Sequence, residues 1–111
     1  MRYDALGEFE QSVLLAIAHL GDRAYGVTIR LEIETRTGRE IAIGALYTSL
    51  ARLERKGYVR SAMSDPTPQR GGRSKRQFAL SATGAAALRQ SRERLSRMWE
   101  GLQPDLKRTR S

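Results

Sequence analysis

The sequence predicts a mainly α-helical chain with one small β-hairpin, an α+β domain, and three observations support this. Apolar residues recur at helical spacing near 7–20, 43–56 and 82–102. Two short strand-like runs, separated by a loop rich in proline and glycine, lie between the last two of these stretches. At 111 residues, 40% hydrophobic and 29% charged, the chain suits one compact domain and is too short for two cores of ordinary size.

The elements follow in order. Leu6, Phe9, Val13, Ile17 and Leu20 share one helical face, and Gly21-Asp22 supplies a stop, so a first helix is expected over Gly7 to Leu20. Leu14, Leu15, Ala16 and Ala18 make it apolar on more than one face, so it is either deeply buried or meets a second subunit. The next stretch reads two ways. Val27, Ile29, Leu31 and Ile33 alternate with polar residues as a half-buried strand would, while Tyr25, Ile29 and Ile33 form an i, i+4 stripe. Pattern alone slightly favours the strand; Thr37-Gly38 closes the segment in either case, with glycine suited to a left-handed C-terminus.

From Ile43 to Lys56 the pattern is cleaner: Leu46, Leu50 and Leu53 lie on one side, with Ala45, Thr48, Ser49 and Arg52 on another, and Gly57 ends the helix. Strands are expected from Tyr58 to Ser64 and from Arg73 to Leu80, around a loop containing Asp65-Pro66-Thr67-Pro68 and Gly71-Gly72. Strand, basic loop, strand is the outline of a wing. Ser81 is placed to cap a last helix over Ala82 to Leu102, stopping before Pro104. Leu88, Leu95 and Leu102 are seven apart, with Met98 three beyond Leu95, which makes a short dimerisation seam. Residues 103–111 read as a disordered basic tail.

Charge sharpens the functional reading. The formal net charge is +8, which favours a polyanionic partner. Its distribution is uneven: residues 1–51 hold five basic and seven acidic side chains, residues 52–76 eight and two, and the remainder seven and three. The basic surplus therefore begins at Arg52, near the end of the 43–56 stretch and ahead of the hairpin. There is no cysteine, which excludes disulfides and thiolate metal sites, and no metal or cofactor is implied. Asp4, Glu8 and Glu10 spoil the positive start of a signal peptide, and the run Val13 to Ala18 is too short to span a bilayer, so a cytoplasmic protein is expected. The single histidine, His19, has no carboxylate or nucleophile companion in sequence, and an enzyme is not expected.

The helix beginning near Gly44 is the candidate recognition helix, because Thr48 and Ser49 are short enough to approach base edges and Arg52 can read guanine with two hydrogen bonds. Arg70, Arg73, Lys75 and Arg76 on the hairpin suit phosphate contacts. These residues resemble the PadR family of bacterial transcriptional regulators over Leu6 to Leu102. The likeness is carried by Tyr25-Gly26, by Gly44-Ala45-Leu46-Tyr47 followed by Leu50, Arg52-Leu53-Glu54 and Gly57, by Gly71-Gly72-Arg73-Ser74-Lys75-Arg76, and by Leu80-Ser81-Ala82-Thr83-Gly84.

The resemblance implies a winged helix-turn-helix over 1–81, with residues 25–37 helical, and a C-terminal dimerisation helix over 82–102, the short form of the family. It adds Tyr25, Gly44 and Tyr47 to the DNA-binding candidates, although an aromatic on the first turn of a packed helix also serves as a lid on the core. The dimer candidates are Leu6, Phe9, Val13, Leu88, Leu95, Met98, Trp99 and Leu102. In some multidrug-sensing members an aromatic of the last helix lines a ligand cavity between subunits. Leu95 stands nearer that position here, with the lone tryptophan, Trp99, four residues on, and the two are the candidate effector contacts.

The sequence departs from the family pattern at Ala42 and Ala45, where hydroxyl residues are common, and at Thr48, where proline is frequent. Gln77-Phe78 replaces a usual aromatic pair, and Met63 stands where tryptophan is frequent. The expected function is a double-stranded DNA-binding regulator, a homodimeric repressor on an inverted-repeat operator, released by a small-molecule effector. The alternatives are a non-specific nucleoid- or RNA-binding basic protein and a protein-interaction module. Few aromatics (6%) argue against single-strand RNA binding, and an interaction module has no need of a basic wing.

Overall fold

The computed structural model describes residues 5–63 and 75–102. Helix α1 spans Glu8–Leu20, followed by a single 3-10 turn, Gly21–Arg23. Gly7 caps α1, and the Glu10 carboxylate reaches back to accept its N–H at 3.1 Å. The two apolar faces of α1 have different fates. Val13, Leu14, Ala16 and Ile17 are buried, while Leu15 points outward. Leu6 and Val13, expected at a dimer interface, instead belong to the core of the single chain, and Val13 is 0% exposed. Phe9 is half-buried and packs against that same core.

Helix α2 spans Gly26–Thr37, which corrects the strand that alternation slightly favoured. Ile29 and Ile33 form the buried stripe, whereas Val27 and Leu31, which produced the alternation, are exposed. Gly38 ends the helix in the left-handed region at φ 74°. The turn into α3 (Ile43–Arg55) is held by Glu34, whose carboxylate accepts the Ile41 N–H at 2.8 Å and lies 3.4 Å from Arg30 Nε. That backbone hydrogen bond is the main reason its carboxyl titrates below the usual range, with Arg30 adding to it. Leu46, Leu50 and Leu53 pack inward against α1 and α2.

Strands β1 (Val59–Met63) and β2 (Arg76–Leu80) pair antiparallel with Ser61 opposite Phe78. Val59 and Phe78 drop into the core. A further rung ties this hairpin to the start of α2: Tyr25 bridges Gln77, and the Phe78 N–H donates to the Ala24 carbonyl at 2.8 Å. The hairpin base is thereby fixed against the helices by backbone hydrogen bonds.

Helix α4 (Ala82–Trp99) starts as expected, with Ser81 Oγ accepting the Gly84 N–H at 3.0 Å and donating to the Gly57 carbonyl at 2.6 Å. Gly84 is required by packing: a Cβ there would lie 2.2 Å from the Tyr58 carbonyl oxygen. The helix ends three residues before the expected Leu102, because Glu100 turns extended (ψ 133°) and Gly101 adopts φ 85°. Leu102 lies in the turn beyond it and is exposed. The expected tail at 103–111 lies outside the described residues.

Candidate nucleic-acid interface

On α3 the buried side is Leu46, Ser49, Leu50 and Leu53. With 100° of rotation per residue, the opposite stripe is Gly44, Thr48, Ala51 and Arg55, all exposed, with Tyr47 beside it. Thr48 therefore faces outward, as a base-reading residue must. Ser49 does not: it is 5% exposed, since it shares a face with Leu46 and Leu53, and it is removed from the set of contact residues on that geometric ground. Arg55, which the sequence reading passed over, completes the outward stripe at i, i+4, i+7 and i+11 from Gly44. That spacing was the available signal. Arg52 sits on the flank, with its guanidinium 3.9 Å from the Glu10 carboxylate of α1, which also pairs with Lys56 at 3.3 Å.

The start of α2 joins α3 to the wing. Tyr47 lays its hydroxyl end against Gly26, so closely that a Cβ on that glycine would come within 1.9 Å of it, while the rest of the side chain remains partly exposed. The Tyr25-Gly26 pair thus has a packing reason: the glycine admits Tyr47, and the tyrosine beside it lies under Lys75, whose Nζ is 5.3 Å from the ring centroid. Arg76 donates to Ser61 Oγ at 2.8 Å, and Ser61 Oγ donates to Glu54 of α3 at 2.8 Å. This relay fastens the wing root to α3 and sets a cation beside Glu54. Gly44 and Tyr47 on α3, Tyr25 at the N-cap of α2, Lys75 just ahead of β2 and Arg76 at its start accordingly lie on connected elements. Arg70 and Arg73 lie outside the described residues.

A second surface lies between α1 and α4. The first half of α4 packs inward through Gly84, Ala87, Leu88 and Ser91, whereas Leu95, Met98 and Trp99 are 57%, 74% and 41% exposed. Leu15 of α1, Leu95 and Trp99 border a cleft of about 540 Å³, lined also by Gln11, Leu88 and Arg92, and Met98 lies outside it, beside Leu95 in a separate groove. The size of the cleft falls within the range of small-molecule sites. His19 lies 3.4 Å from Arg36, which in turn holds Glu32 and keeps that carboxyl below its usual range. No helix among the described residues is long and apolar enough to cross a membrane.

Three packed helices, α1 to α3, and a hairpin pinned to their flank make this a winged-helix protein. The model of the Transcriptional regulator PadR-like family matches residues 13–90, and the chain belongs to that family of DNA-binding transcriptional regulators, which are not enzymes. Among solved structures, the hsRosR-S1 complex, of the H. salinarum protein RosR, is 26% identical, covers 87% of this chain and 80% of that chain, and has a TM-score of 0.66. A transcriptional regulator from Clostridium thermocellum is 23% identical, covers 84% and 87%, and has a TM-score of 0.68. A PadR-like transcription factor from Bacteroides fragilis is 17% identical, covers 85% of each chain, and has a TM-score of 0.70. No curated protein matches the sequence.

Proposed function

We propose that this regulator is a homodimeric repressor that binds an inverted-repeat operator in double-stranded DNA and is released from it by a small-molecule effector. The observation that carries the DNA-binding half is the contact chain Tyr47, Gly26, Tyr25, Lys75, which joins the first turn of α3 to the wing root. Thr48 and Arg52 address base edges, while Arg55, Lys75 and Arg76 address phosphates. Arg70 and Arg73 extend the same basic strip by sequence.

The dimer half is supported by Leu15, Leu95, Met98 and Trp99, a cluster of large apolar side chains exposed on one chain and continuous with the α1–α4 cleft. A second copy supplies the matching surface by twofold symmetry. Two recognition helices then sit about one turn of B-DNA apart, roughly 34 Å. An effector bound in the cleft against Leu95 and Trp99 changes that spacing and lowers DNA affinity.

The test has two arms. Duplexes selected from a randomised pool are titrated by fluorescence anisotropy against their scrambled versions at matched salt, and light scattering gives the mass of the free protein. Preference for an inverted repeat, from a dimer, supports the reading. Equal affinity for selected and scrambled duplexes replaces it with non-specific nucleoid binding.

A further inference from the structure

Glu10 stands at a junction that DNA binding alone does not explain. It lies in the first turn of α1, only 12% of its side chain is exposed, and it belongs to no part of the DNA-facing strip. Yet its Oε2 holds two cations from the last turn of α3 and its C-cap, Lys56 at 3.3 Å and Arg52 at 3.9 Å. The other oxygen caps the Gly7 N–H. Both helix ends favour this arrangement, because a carboxylate sits at the positive start of α1 and the cations near the negative end of α3.

The two cations differ. Lys56 is 25% exposed and closer, whereas Arg52 is 48% exposed and at the limit of ion-pair distance. Arg52 can therefore leave while Lys56 keeps the sheltered carboxylate paired, so that no uncompensated charge results. A pair of this length whose cation is half exposed is weak enough to exchange and strong enough to bias a flexible side chain.

We propose that Glu10 is a built-in competitor of DNA phosphate. It holds Arg52 against α1 and so lowers the affinity of the recognition helix for duplex DNA of any sequence. Glu10 is thus a positioning residue that acts through Arg52. The inference rests on the DNA-binding reading, and its test separates the two.

The experiment measures binding to a random-sequence duplex by anisotropy across a salt series, for the full chain and for Glu10→Gln. Glutamine keeps an oxygen for the Gly7 cap and removes only the charge. Glu10→Gln is expected to tighten binding about three-fold and to steepen the dependence of log K on log salt by roughly one unit, since each added phosphate contact contributes about 0.9. In an Arg52→Gln background the same change should have less than half that effect. A variant that keeps the wild-type melting temperature and an unchanged slope overturns the proposal, as does an undiminished effect without Arg52.

Should Glu10→Gln fail to fold, Arg52→Gln alone decides. It should flatten the wild-type slope on random duplex by less than half a unit, and a full unit would show that Arg52 already contacts phosphate. A wild-type protein with no salt-dependent duplex binding refutes the DNA-binding reading instead.

Discussion

Helices α3 and α4 are both amphipathic, yet one finishes its apolar face inside the chain and the other does not. Leu46, Leu50 and Leu53 of α3 are covered by α1 and α2, whereas Leu95, Met98 and Trp99 of α4 stay exposed among the described residues. Periodicity fixes which side of a helix is apolar, but the neighbour that covers it is decided by tertiary reach. On α4 the buried residues end at Ser91. The contrast assigns stability of the single chain to α3 and, on the proposed dimer, association to the second half of α4.

The largest effect should come from Leu50→Ala, which opens a cavity in a site with no solvent access and costs about 2 to 5 kcal/mol in chemical denaturation at any protein concentration. Leu95→Ala should behave oppositely, with little change in the unfolding of dilute protein but a clear shift of the dimer to monomer in light scattering. A concentration-independent loss of several kcal/mol for Leu95→Ala would erase the distinction between the two helices.

Next in size is Gly84→Ala, which anchors the packed half of α4. A Cβ there meets the Tyr58 backbone carbonyl, so the helix must shift, at a cost of about 1 to 3 kcal/mol in thermal unfolding. Gly26→Ala should be milder for stability, because the obstacle is the tip of the Tyr47 side chain, and should cost more in duplex binding. The reverse order would mean that Tyr47 is a core lid only.

On the α3 side, Arg52→Ala should weaken a selected operator by about 1 to 3 kcal/mol and random duplex by less, if the guanidinium reads a base. Equal losses in parallel titrations would make it a phosphate contact. A smaller gain is expected from Ala42→Ser. Ala42 caps α3 with extended backbone and no side-chain acceptor, so a hydroxyl should add about 1 kcal/mol, seen as a higher melting temperature.

The smallest effect concerns acid. Because the carboxyl of Glu34 titrates lower in the folded chain than in the unfolded one, its contribution is complete above the ordinary carboxylate range and is lost as pH falls through the folded value. Between about pH 6 and about pH 3 the wild type should therefore lose slightly more stability than Glu34→Gln. Parallel acid profiles would show that the Ile41 hydrogen bond has no energetic weight.

Much of this was legible in the sequence. Helices α1 and α3, the Gly38 terminus, the Ser81 cap and the paired strands follow from spacing and from residues with one physical use. Segment α2 was ambiguous because Val27 and Leu31 are apolar yet exposed, which imitates the two-residue period of a strand. The family likeness resolved it. On α3, Thr48 and Ser49 look alike in sequence, but 100° of rotation sends one outward and the other into the core, and the same rotation brings out the overlooked Arg55. Leu6 and Val13 were unreadable as core rather than interface, because a helix apolar on two sides does not state which side faces its own chain. The tether between Glu10 and Arg52 joins residues 42 positions apart and had no local signal.

The central claim is that the outward stripe of α3 and the wing root meet one duplex together. Backbone amide shifts recorded by NMR during titration with a selected duplex test it directly. The account predicts the strongest perturbations at Gly44, Tyr47, Thr48, Ala51 and Arg55 and, in the same titration, at Tyr25, Lys75 and Arg76. Perturbations concentrated on Arg89 to Arg97 of α4, with α3 silent, would contradict it.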